Sequence, residues 1–81
     1  MQVRVRYFAA LREKVGKDAE DLCIPAGATV SQARAALIER YPQLASMLAG
    51  CAAAVNRAYA LAETALAEGD ELVFIPPLGG G

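Results

Sequence analysis

A run of strand-forming residues, Leu72 to Ile75, stops at two prolines, Pro76 and Pro77, and Leu78-Gly79-Gly80-Gly81 close the sequence. Proline supplies no backbone N–H, so a sheet ladder cannot continue through the pair. The chain has to leave the fold there, which divides it into a domain over 1–75 and an arm over 76–81. At no more than roughly 3.3–3.6 Å per extended residue, such an arm reaches about 20 Å. That is long enough to enter the active site of another protein. Glycine lets a backbone thread a narrow channel and bring a terminal carboxylate close to a phosphate or a thiol. A glycine-rich end also suits an idle terminus, so the arm alone leaves both readings open.

The remainder of the chain narrows the choice. At 81 residues it forms one small domain, and a hydrophobic fraction of 56% is enough for a single core. Apolar runs fall well short of the ~20 residues of a membrane span, so a soluble, cytoplasmic protein is expected. A net charge of -1 argues against a general nucleic-acid binder. Arg4, Arg6, Arg12 and Lys14 are interleaved with Glu13, Asp18, Glu20 and Asp21, as on a solvated surface. There is no histidine, the commonest general base and metal ligand at neutral pH, and the two cysteines, Cys23 and Cys51, form no C-x-x-C pair. A metal site is not indicated, nor is a self-contained hydrolase. Cys23 lies in an apolar strand-like run and is expected to be a small buried hydrophobe.

Gln2 to Tyr7 alternates polar and apolar residues, which predicts a half-buried strand with Val3, Val5 and Tyr7 inward. Phe8 breaks the alternation and puts a ring on the arginine side. Ala9 to Val15 reads as a short helix ended by Gly16. A second strand is expected over Asp18 to Ile24, with Ala19, Asp21 and Cys23 on one side and Glu20, Leu22 and Ile24 on the other. Thr29-Val30-Ser31-Gln32 matches a capping box and predicts a helix from Val30 with Val30, Ala33, Leu37 and Tyr41 on one stripe, stopped by Pro42. Gln43 to Ala49 allows one further helical turn. Cys51 to Asn56 and Tyr59 to Leu61 read as short strands around an Asn56-Arg57 turn. Glu71 to Ile75 is apolar on both faces, as suits a strand in the middle of a sheet.

These elements give an α+β domain, a mixed sheet of four to five strands with one main helix on one face. A β-grasp arrangement, with the first and last strands adjacent and parallel, satisfies all of them. One helix cannot cover Phe8 and both faces of the last strand. A sheet face including Phe8 and Ile75, with Tyr59 at its margin, is therefore expected to dock on a partner.

Four stretches, VRVRYFAALREKVG, ATVSQARAALIERYP, AAVNRAYA and LAEGDELVFIPPLGGG, together resemble the MoaD-type sulfur carriers, the small subunits of molybdopterin synthases. The most specific part is G-D-E-x-x-x-x-P-P followed by four residues ending in Gly-Gly. Gly79 departs from the Ser or Thr frequent there in the family. The resemblance implies a ubiquitin-like β-grasp fold and a chemistry for the arm. The Gly81 carboxylate would be joined to AMP by a MoeB-type adenylyltransferase that uses ATP, because oxide is a poor leaving group and a carboxylate a poor electrophile. A sulfide equivalent would displace AMP and leave a C-terminal thiocarboxylate. This would donate sulfur to cyclic pyranopterin monophosphate inside a MoaE-type large subunit, within a heterotetramer.

On this resemblance Gly81 is the consumed group and Gly80 gives it clearance. Phe8, Tyr59, Ile75, Pro76, Pro77, Leu78 and Gly79 would meet the partner, with the two prolines aiming the arm. No cofactor would be bound by the chain itself. Carriers for thiamin thiazole or tRNA thiolation and ubiquitin-like modifiers share the tail chemistry and differ in receiver. An interaction module with an idle tail stands beside them.

Overall fold

The initial alternation becomes strand β1, Gln2–Arg6, in a computed structural model that describes residues 1–77. Val3 and Val5 are buried and Arg4 and Arg6 exposed, as alternation requires. Helix α1, Ala9–Val15, follows Phe8 and ends at Gly16, whose φ of +85° is the left-handed conformation that closes helices. Strand β2, Ala19–Cys23, runs antiparallel to β1 with Val3 opposite Leu22 and Val5 opposite Glu20.

The capping box forms as expected. The Gln32 N–H donates to Thr29 Oγ1 at 3.2 Å and the Thr29 N–H donates to Gln32 Oε1 at 2.8 Å, which starts helix α2, Val30–Arg40. Val30, Ala33 and Leu37 of its stripe are fully buried. Tyr41 is instead half-buried at the helix end, because the backbone turns there ahead of Pro42. A 3-10 turn, Pro42–Leu44, leads into α3, Ala45–Ala49, and delivers Leu44 and Leu48 to the same core.

Strand β3, Ala52–Val55, turns through Asn56 and Arg57, both at positive φ, into β4, Ala58–Ala60. The strand β5, Glu71–Ile75, then enters the centre of the sheet. The order is β2-β1-β5-β3-β4, with β1 and β5 parallel and the other pairs antiparallel. This is the expected β-grasp topology with five strands. The Gly69-Asp70-Glu71 start of β5 is also explained. Gly69 takes φ +81°, the Asp70 carboxylate accepts the Ala67 N–H and the Asn56 amide, and the Glu71 N–H donates to Asn56 Oδ1. One turn thereby sets the register of the central strand against the β3 to β4 hairpin.

Two residues of β2 differ from their expected or usual setting. Cys23 is exposed rather than buried, because its register partner is Gln2 on the outer side of the sheet. Glu20 lies on the inner side at 9% exposure. Its Oε2 accepts the Tyr7 hydroxyl at 2.5 Å and the Tyr41 hydroxyl at 2.7 Å, and Arg40 and Lys17 stand 3.5 Å from Oε1. Burial alone would raise the Glu20 pKa, but the two hydroxyls and two cations outweigh it and hold the carboxyl below its usual range. Burial and the adjacent carboxylate push both tyrosine hydroxyls up.

Candidate functional site

The two faces of β5 have different fates. Leu72 and Phe74 enter the core, while Glu71, Val73 and Ile75 are half-buried on a face that no helix among the described residues covers. Register extends this outer face across the sheet: Ala52 pairs with Ile75, Ala54 with Val73, and Tyr59 with Ala54. On the other flank Arg6 pairs with Val73.

Among the described residues three large apolar side chains are exposed, Phe8 at 51%, Tyr59 at 79% and Leu61 at 68%. Phe8 is turned outward by its backbone. Tyr7 before it is anchored inside by Glu20, and Ala9 after it takes φ +47°, a conformation that costs a non-glycine residue about 1–2 kcal/mol. The Arg6 guanidinium stands 5.6 Å from the Phe8 ring centroid and pairs with Glu71 at 3.4 Å. Exposed pairs of this kind contribute little energy, so the ring stays open to contact from outside.

Tyr59, Ile75, Pro76 and Pro77 line one groove of about 390 Å³ with Gly50 and Ala52. The sequence-predicted docking residues are thus brought together at the root of the arm, except that Phe8 lies outside this groove. Leu78, Gly79, Gly80 and Gly81 lie outside the described residues. Gly50 and Ala52 were missed by sequence reasoning, because small residues carry no signal until the pairing of Ala52 with Ile75 puts them at the groove. A second depression, about 410 Å³, is lined by Leu22, Cys23, Ala36, Glu39 and Arg40. It borders β2, at the opposite edge of the sheet from the groove.

Beneath the groove sits Arg34 of α2, half-buried, donating from Nη1 to the carbonyl oxygens of Leu48 and Cys51 and stacking 5.0 Å from the Phe74 ring centroid. The neighbouring Cys51 thiol is buried and donates to the Met47 carbonyl, with burial pushing its pKa up against the pull of Arg34. A thiol kept protonated is a poor nucleophile. Among the described residues no group of three or more histidine, cysteine or acidic side chains could hold a metal ion, and no helix is long and apolar enough to cross a membrane.

The geometry therefore offers an exposed apolar sheet face, a groove and a chain leaving it. The chain is similar to known proteins over its whole length. The ThiS family matches residues 5–81. The molybdopterin synthase sulfur carrier subunit of Chlamydomonas reinhardtii is 37% identical over 83 residues, covering 100% of both chains. Among solved structures, the small archaeal modifier protein 1 of Haloferax volcanii superposes with a TM-score of 0.87 at 29% identity, again over 100% of both chains. A chain in a complex of subunits 1 and 2 of molybdopterin-converting factor from Helicobacter pylori gives a TM-score of 0.70 at 26% identity, covering 100% of each.

Proposed function

The chain belongs to the ThiS family, and from that premise we propose that it is the sulfur carrier subunit of a molybdopterin synthase. The end-to-end relation to subunits of that name carries the reading. The central strand that ends at two prolines lining an open groove, four residues short of Gly81 in the sequence, supports it physically.

The chemistry follows from the arm. Gly81 offers a carboxylate, which attacks the α-phosphorus of ATP on an adenylyltransferase, releases pyrophosphate and becomes an acyl adenylate. A sulfide equivalent attacks that carbonyl and expels AMP, leaving a thiocarboxylate. Inside the large subunit this sulfur is passed to cyclic pyranopterin monophosphate, and two turns of the carrier complete the dithiolene. Gly80 and Gly79 keep the arm narrow, Leu78 gives it one side-chain contact, and Pro76 and Pro77 aim it. Phe8, Ile75 and Tyr59 dock on the large subunit. Docking concentrates an otherwise indiscriminate nucleophile at one pterin site. The work takes place in the cytoplasm.

The test is direct. Protein incubated with a cognate activating enzyme, ATP and a sulfur source is expected to shift in intact mass by one oxygen-to-sulfur exchange. Mixed with a large subunit, it should convert the precursor to molybdopterin and return to the carboxylate. Failure with the cognate large subunit alongside transfer into thiazole or tRNA would assign another receiver. The likeness to a small archaeal modifier protein supports a second reading, attachment of the arm to lysine amines. An isopeptide-linked adduct in place of sulfur transfer is the result that would favour it.

A further inference from the structure

Arg34 lies outside the docking face, yet it touches the backing of both walls of the groove. One wall is Gly50 to Ala52, and Arg34 holds the carbonyls of Leu48 and Cys51 on either side of Gly50. The other wall is the end of β5, where Phe74, the ring under the guanidinium, immediately precedes Ile75. The interaction is local and cationic for a reason. The Leu48 carbonyl, near the C-terminal end of α3, also accepts the Cys51 N–H, and a positive charge there meets the negative end of the helix dipole. Among the described residues Arg34 makes no ion pair, so its charge and its planar fork are directed at backbone and ring.

We propose that Arg34 is a positioning residue for the arm. By tying Gly50 to Ala52 against the end of β5, it fixes the groove that holds Pro76 and Pro77, and with it the direction in which the chain departs from Pro77. The functional consequence rests on the sulfur-carrier reading; the geometric part does not. A misplacement of a reacting group by about 1 Å costs a reaction up to about a hundredfold.

Arg34→Met keeps the stem and removes the donors, and Arg34→Lys keeps the charge with a single reaching amine. Each is charged to the thiocarboxylate and mixed with cognate large subunit, measuring both the dissociation constant and the single-turnover rate of sulfur transfer at saturation. The expected result for Arg34→Met is a rate lower by about tenfold or more, a dissociation constant within about threefold, and partial recovery in Arg34→Lys. The amide resonances of Gly50, Ala52, Tyr59 and Ile75 in the free protein should move, while those of Gln2 and Asp21 stay. Groove amides that stay in place, or an unchanged rate per folded molecule, would overturn the proposal. If Arg34→Met does not fold, Arg34→Lys is read in the same two ways. A wild-type protein that transfers no sulfur counts against the carrier reading instead, and the amide shifts still decide the role of Arg34.

Discussion

Tyr7→Phe removes one hydroxyl from the core and leaves its ring in place, so its cost isolates the hydrogen bond to Glu20. That bond runs to an ionised carboxylate at 9% exposure, at 2.5 Å. Hydrogen bonds to charged groups contribute about 1.5–3 kcal/mol, and here the acceptor keeps Tyr41, Arg40 and Lys17. We expect a loss of about 2 kcal/mol at neutral pH, which in a domain of this size lowers Tm by roughly 8–16 °C. Tyr41→Phe should cost less, since water reaches its half-buried hydroxyl. The double variant should depart from additivity because both hydroxyls share Oε2. The sign of the pH dependence follows from the shifts. The Glu20 pKa is lowered in the folded state, so its contribution is complete above the unfolded value of about 4.3 and is lost as pH falls through the folded value. The Tyr7 pKa is raised, so its contribution is complete below the ordinary tyrosine value of about 10 and is lost as pH rises through the folded one. Urea unfolding of both proteins at about pH 7 and about pH 3 is the assay. The reasoning is refuted if the gap at neutral pH is under about 0.5 kcal/mol, or if it fails to narrow in acid.

Phe8→Asp is expected to weaken docking to the large subunit by about 2 kcal/mol, roughly thirtyfold in Kd, with little change in Tm; unfolding without a separate binding defect would place Phe8 in the core instead. A chain extended by one alanine after Gly81 should fold normally and accept neither AMP nor sulfur, as read by intact mass; sulfur transfer by an untrimmed extended chain would contradict the role of Gly81. Ala9→Gly relieves a positive φ and should stabilise the fold by about 0.5 kcal/mol, whereas Ala10→Gly, in the same helix, should cost about 0.5–1 kcal/mol. Equal costs for the two in thermal melts would argue against strain beside Phe8.

Much of the fold was legible because its signals are local. The Thr29 to Gln32 box starts α2 where the side chains demand it, and the two apolar faces of Glu71 to Ile75 announce a central strand before any partner is known. Phe8 was readable as an outlier in an alternating strand. The misplaced residue was Cys23, whose apolar neighbours suggested burial although its register opposite Gln2 puts it outside. Glu20 was assigned to the face of Leu22 and Ile24 correctly, but a carboxylate there makes sense only once Tyr7 and Tyr41 arrive from other elements. The same holds for Arg34, whose partners lie 14 and 17 residues away along the chain. Long-range polar contacts of this kind leave no periodic trace.

The parallel pairing of β1 with β5 gives the arm a safeguard in time as well as in space. The strand that leads to the arm is held by β3 on one side and by β1 on the other, and the second of these closures spans nearly the whole sequence. Contacts so distant along the chain slow folding, because loop-closure entropy opposes them. A chain still emerging from synthesis, or one collapsed without its central strand, has no groove and no fixed root from which to offer its glycines. A root fixed at Pro76 and Pro77 therefore reports that the sheet is complete, so on the sulfur-carrier reading an enzyme that charged or discharged the arm would inspect the whole domain while touching only one end.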